Sequence, residues 1–195
     1  MPAELILDYL SSSSAWEQLC FQVVFQCAPV LKGVKASNLI TLPKGMWLHL
    51  FNILKDTDIS CKILYSGSKN EVIFLYREDR LNEILEDRKA WDFVQSCGYA
   101  EMGMPEILKR LRSRYELFMR KTGDFPHELG IFLQYPIEDV KAFIQNGGKN
   151  SLLSGYWKVY HNPMQAAQIF RTYDEVRDHA ASEFMKHKSI RQVVC

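Results

Sequence analysis

His127 and Glu128 stand side by side in GDFPHELGIFLQYPIEDV, residues 123–140. A histidine titrates near neutrality, so beside a carboxylate it makes an acid–base pair, or one metal ligand next to an acid. The second histidine of a metalloprotease helix is missing, because position 131 is Ile131. The same residues also suit a helix start. Pro126 fits a first turn, Glu128 favours the positive end of the helix dipole, and His127 hydrogen-bonds locally. On the sequence both readings stand.

A second chemical stretch is GYWKVY, residues 155–160. Alternation puts Tyr156, Lys158 and Tyr160 on one face of a strand, and Trp157 and Val159 on the other. In the plain reading Trp157 belongs to the core. In the functional reading the outer face is aromatic and cationic and takes a planar or anionic ligand. Arg77, at the end of an apolar strand, and Tyr135 join Tyr156, Lys158 and Tyr160 as candidate ligand-binding residues.

Metal chemistry finds no footing. Cys20, Cys27, Cys61, Cys97 and Cys195 are scattered without a CxxC pair. His179 and His187 lie two helical turns apart, too far to share an ion unaided. No metal site is expected. Phosphate loops, the glycine fingerprint of dinucleotide folds and the nucleophile elbow are absent too. They leave any cofactor unidentified.

Residues 126–146 also have the apolar spacing of a helix-turn-helix, through Leu129, Gly130, Leu133, Ile137, Val140 and Ile144. Its second helix would present Glu138, Asp139, Lys141 and Gln145 outward. Two acids at that end oppose phosphate binding, so nucleic acid is not the expected partner. Glu138 and Asp139 suit a helix start instead. The segment 105–122 has a local excess of base, with Lys109, Arg110, Arg112, Arg114, Arg120 and Lys121 against Glu106 and Glu116. It reads as a solvated face, or as a surface for an acidic or phosphate-bearing partner.

The elements that must hold these residues are legible in part. Ser14 and Glu17 form a capping box before an amphipathic helix over 14–28, which Pro29 should end. A second helix is expected over 46–54. CKILY (61–65) and EVIFLY (71–76) flank GSKN as a β-hairpin, and the second strand is nearly all apolar from Val72 to Tyr76, as if covered on both faces. NLITL (38–42) is a further strand. Helices follow from Leu81 to Gly98 and from Pro105 to Gly123, and a long one starts at Asn162–Pro163. From Lys186 the chain is expected to fray.

With 195 residues, 47% hydrophobic and 24% charged, and a net charge of +1, the composition is that of one globular domain over 1–195. That charge gives no general attraction to nucleic acid or anionic membrane. The first ten residues hold acids and no basic leader segment, and no apolar run reaches about 20 residues, so no membrane association is expected. Unpaired cysteines point to a reducing, cytoplasmic setting.

Four blocks carry a family likeness: CAPVLKGVKASNL (27–39), VIFLYREDRL (72–81), FPHELGIFLQYPIEDVKAFI (125–144) and GYWKVYHNPMQAAQIFRTY (155–173). Together they resemble an uncharacterised bacterial domain-of-unknown-function family of clostridial-type anaerobic Firmicutes. In that family a glycine often stands at the place of Gln134 and a cysteine at that of Ser154. The resemblance implies lineage and compartment, and no chemistry.

The expected architecture is α+β. A small, mainly antiparallel sheet from 38–42, 61–65, 71–77 and 156–160 packs against several helices, with a helical hairpin at about 126–146. The leading functional expectation is a cytosolic binding or regulatory module for a small ligand or protein partner. The alternatives are an enzyme using His127 and Glu128, and a nucleic-acid binder through 126–146. Oligomeric state leaves no signature in the sequence.

Overall fold

Residues 70–76 alternate nothing: Val72, Ile73, Phe74, Leu75 and Tyr76 are all buried. A strand apolar on both faces needs a cover on each side, and the computed structural model, which describes residues 1–187 and 189–194, supplies both. The strands are β1 (Ser37–Pro43), β2 (Ser60–Ser66) and β3 (Asn70–Tyr76), in the order β1-β3-β2 and antiparallel throughout. The register of β2 on β3 slips between Ile63 and Tyr65.

One face of the sheet packs on α1 (Ala3–Ser12), α2 (Ala15–Leu31), α3 (Trp47–Leu54), α9 (Pro163–Met185) and α10 (Ile190–Val194). Ile40, Leu42, Ile73 and Leu75 meet Val24, Cys27 and Ala181 there. The other face packs on α4 (Glu78–Glu86), α5 (Arg88–Val94), α6 (Met104–Met119), α7 (Leu129–Phe132) and α8 (Ile137–Gln145). Phe74 and Tyr76 lie against Leu81, Leu111 and Phe132. The result is an α+β fold with helices on both faces of a three-stranded sheet.

Several expectations need correction. Residues 156–160 do not join the sheet. Lys158–Val159 pairs with Leu153–Ser154 in a separate two-stranded hairpin, β4 (Leu153–Ser154) and β5 (Lys158–Val159). Trp157 and Val159 are buried with Ala166, Phe170 and Tyr173 in a small third cluster. Gly155 is needed there, since a Cβ would fall 2.3 Å from Phe170 Cε2.

Pro29 does not end α2, which continues to Leu31. Proline forfeits one helical hydrogen bond, but Val30 and Leu31 are wholly buried, and burial on that scale outweighs it. Helix α6 ends at Met119, with Lys121 rather than Gly123 taking the left-handed position at φ 59°. Ile144, expected inside, is 40% exposed. The stretch expected to fray from Lys186 is helical over Ile190–Val194, with Ile190 and Val193 buried. Cys195 lies outside the described residues; Cys20, Cys27, Cys61 and Cys97 are free thiols.

Candidate functional site

The helical hairpin is built from local chemistry. Pro126 has no N–H to lose at a turn, and its carbonyl accepts from Leu129 N at 2.9 Å. Helix α7 closes where Gln134 takes φ 64° and Tyr135 N donates to the Gly130 carbonyl at 2.9 Å. Gln134 holds this left-handed position with a compensating bond, its Oε1 accepting from Ala36 N at 2.8 Å. Ser37 adds another tie to the sheet, its hydroxyl donating to the Phe132 carbonyl at 2.5 Å. Helix α8 crosses close to α7 because position 130 lacks a side chain: a Cβ there would lie 2.8 Å from Val140 Cγ2.

Between this hairpin and the turn before β5 lies a cavity of about 190 Å³. Leu129, Gly130, Leu133 and Val140 form its aliphatic floor. Its rings are Phe125, Phe143, Tyr135 and Trp157, and its polar side chains are His127, Asp139 and Lys158. Tyr135 stacks on Trp157 with centroids 5.3 Å apart, so one wall is a continuous aromatic surface. On another side the His127 ring lies between Phe125 at 5.3 Å and Phe143 at 5.9 Å.

The His127 carbonyl accepts from Gly130 N at 3.0 Å, and its ring has no hydrogen-bond partner among the described residues. Burial lowers its pKa, partly countered by the Glu128 charge. Lys158 donates to the Gly148 carbonyl at 2.5 Å. Asp139, expected to face outward, is 2% exposed. Its Oδ2 accepts from Trp157 Nε1 at 2.7 Å, and its Oδ1 from the amides of Tyr160 at 2.8 Å and His161 at 2.9 Å. The acid at the start of α8 thus pins the β5–α9 turn in place.

Glu128 turns away from the cavity. Its side chain is fully buried, accepting from the Arg114 guanidinium and, at 2.9 Å, from the Tyr99 hydroxyl. Burial and the adjacent Glu128 charge push the Tyr99 phenol well above its ordinary range. Two residues of the basic helix are therefore partly inward: Arg114 holds Glu128, and Arg110 lies over the Tyr99 ring at 5.2 Å.

Of the candidates read from sequence, the cavity gathers His127, Tyr135 and Lys158. Arg77 instead caps α2, donating to the carbonyls of Val30 and Leu31 at 2.9 Å each. Tyr156 donates to Asp174 at 3.0 Å and lines a separate hollow of about 620 Å³ with Asn38 and Arg177. Tyr160 lines another of about 610 Å³, its hydroxyl buried without a partner among the described residues.

Sequence reasoning passed over Lys35. It is 3% exposed, bonds to Asn38 Oδ1 at 3.2 Å, and sits 5.6 Å from the Tyr135 ring centre and 5.9 Å from that of Tyr173. Burial lowers its pKa to about 8. Only a lysine beside two apolar residues hinted at this, in KGVKA.

Among the described residues no group of three or more histidines, cysteines or acids is placed to hold a metal. No helix among them is long and apolar enough to cross a membrane. The family described as "Protein of unknown function (DUF3793)" matches residues 23–194. Searches of the curated proteins and of the solved structures found no match.

Proposed function

Since the chain belongs to the DUF3793 family, whose description carries no activity, we propose from the site alone that it is a small-ligand binding module. One observation carries the reading. A ring-walled cavity of about 190 Å³ holds a histidine whose ring packs between Phe125 and Phe143 and has no hydrogen-bond partner among the described residues. A cavity near 150 Å³ already accepts benzene, so this one has room for a single ring with one small substituent. Pockets of this kind bind through apolar walls and orient through a few polar groups. The chain acts as one domain and works in the cytoplasm, a setting that suits its free cysteines.

The enzyme reading of His127 with Glu128 has less support, because the Glu128 carboxylate is held by Arg114 and Tyr99. For the nucleic-acid reading, burial of Asp139 removes one of the two opposing acids, but Glu138 stays on the outer face, 3.8 Å from Lys89.

Two-dimensional NMR with benzyl alcohol as a neutral probe tests the proposal. The expected result is saturable shifts at the Trp157 indole N–H and the His127 ring protons. Absence of saturable shifts at both positions would overturn it.

A further inference from the structure

Besides the Tyr135 hydroxyl and the Trp157 indole, the cavity lining holds His127, Asp139 and Lys158, and these three are not equally available. The Asp139 carboxylate is committed on both oxygens, to the Trp157 indole and to two backbone amides. Lys158 makes one hydrogen bond, to the Gly148 carbonyl, and pairs with no carboxylate among the described residues. An ammonium has three N–H bonds, so two remain to be offered. The His127 ring has no hydrogen-bond partner among the described residues, and in its neutral form it offers one N–H donor and one acceptor nitrogen. Behind the Tyr135 wall sits a second cation, Lys35, 5.6 Å from that ring. Most of the hydrogen-bonding capacity left free here is therefore donor capacity, and it includes an ammonium with no carboxylate partner among the described residues, while the Asp139 carboxylate is occupied by three N–H donors.

The walls state the rest of the ligand. The stacked Tyr135–Trp157 pair offers a flat face, and aromatic faces favour planar partners in offset or edge contact. The Gly148 carbonyl fixes the lysine before any ligand arrives, so little side-chain freedom is lost on binding.

Resting on the binding reading above, we infer that the ligand class is a planar single-ring carboxylate of about benzoate size. Its ring lies against Tyr135 and Trp157, and its carboxylate accepts from Lys158 and His127. A larger fused ring exceeds the space, and a free phosphate leaves the aromatic walls without a partner. Asp139 takes no part in contact; it holds Trp157 in place.

The test uses the full chain, with benzoate and its neutral isostere benzamide titrated by calorimetry and ligand-observed NMR. Benzoate is expected to bind about tenfold more tightly than benzamide, the scale of one charge-assisted hydrogen bond. Lys158→Met should remove that preference, with the far-ultraviolet spectrum still that of the folded chain. Equal affinity for the two probes, or tighter benzamide binding, overturns the charge inference while the binding module stands. Binding of neither probe overturns both. A benzoate preference that survives Lys158→Met overturns the assignment of Lys158 as the anion's partner.

Discussion

Asp139 and Trp157, 18 residues apart, are joined by a hydrogen bond of 2.7 Å between two buried side chains. The bond fixes one wall of the cavity relative to the start of α8. The other Asp139 oxygen collects the Tyr160 and His161 amides, so a single carboxylate organises helix, turn and ring together.

Asp139→Asn therefore sets an amide N–H₂ against donors that need an acceptor. One oxygen remains, and it cannot serve both the indole and the two amides. The expected cost is roughly 1–3 kcal/mol in urea unfolding, the range for a buried donor left unpaired. An unchanged midpoint and slope would show that the turn holds without the acid.

Glu128→Gln removes the charge that Arg114 and Tyr99 share. Breaking a buried pair costs about 3 kcal/mol at the lower end, and the lower end applies because Arg114 stays one-third exposed. Since Glu128 lies outside the cavity lining, benzyl alcohol affinity at a temperature where the variant is folded should not move. Lost affinity in a fully folded variant would return Glu128 to the site.

Lys35 makes stability depend on pH. Its pKa is about 8 when folded, below the ordinary 10.5, so between those values the unfolded chain binds more protons. Stability should rise as pH increases from about 8 toward 10.5, and below pH 8 the cost of burying the charge is fully present. A displacement of this size corresponds to roughly 3 kcal/mol. Lys35→Met is expected to be more stable than the native chain at pH 7, with the advantage shrinking above pH 8 in thermal melts. A constant difference from pH 7 to 10 would mean the amine is not desolvated.

His127→Asn separates structure from site. The ring touches Phe125 and Phe143 and bonds to nothing described, so its loss should cost within about 1 kcal/mol. Benzoate affinity should fall by about tenfold in the same variant, with the far-ultraviolet spectrum unchanged. A large stability loss with affinity retained would make the histidine a packing residue.

Much of the scaffold could be read from the chain. The capping box at Ser14, the hairpin about GSKN and the doubly covered strand from Val72 to Tyr76 all rest on neighbours in sequence. What escaped was set by partners far along the chain. Asp139 sits where a helix start commonly carries a solvated acid; its inward turn depends on Trp157 and on the backbone at Tyr160. Glu128 looked like a dipole partner, and its true partner Arg114 was counted as part of a solvated basic face. GYWKVY had the alternation of a sheet strand, yet only Lys158–Val159 pairs, and with a neighbour four to six residues back. At Gln134 the glycine suggested by the family likeness makes physical sense, since φ is 64° there. Glutamine is tolerated because the Ala36 amide rewards its side chain.

Strand β3 ends the matter of how this fold comes apart. It is hydrogen-bonded to β1 on one side and β2 on the other, and each of its faces belongs to a different hydrophobic cluster. Neither cluster can open without baring the strand that the other needs. The two halves are thus expected to melt in a single event. In native-state hydrogen exchange the amides of Ile73 and Phe74 should be released only through global unfolding, while those of the β4–β5 hairpin exchange through smaller openings.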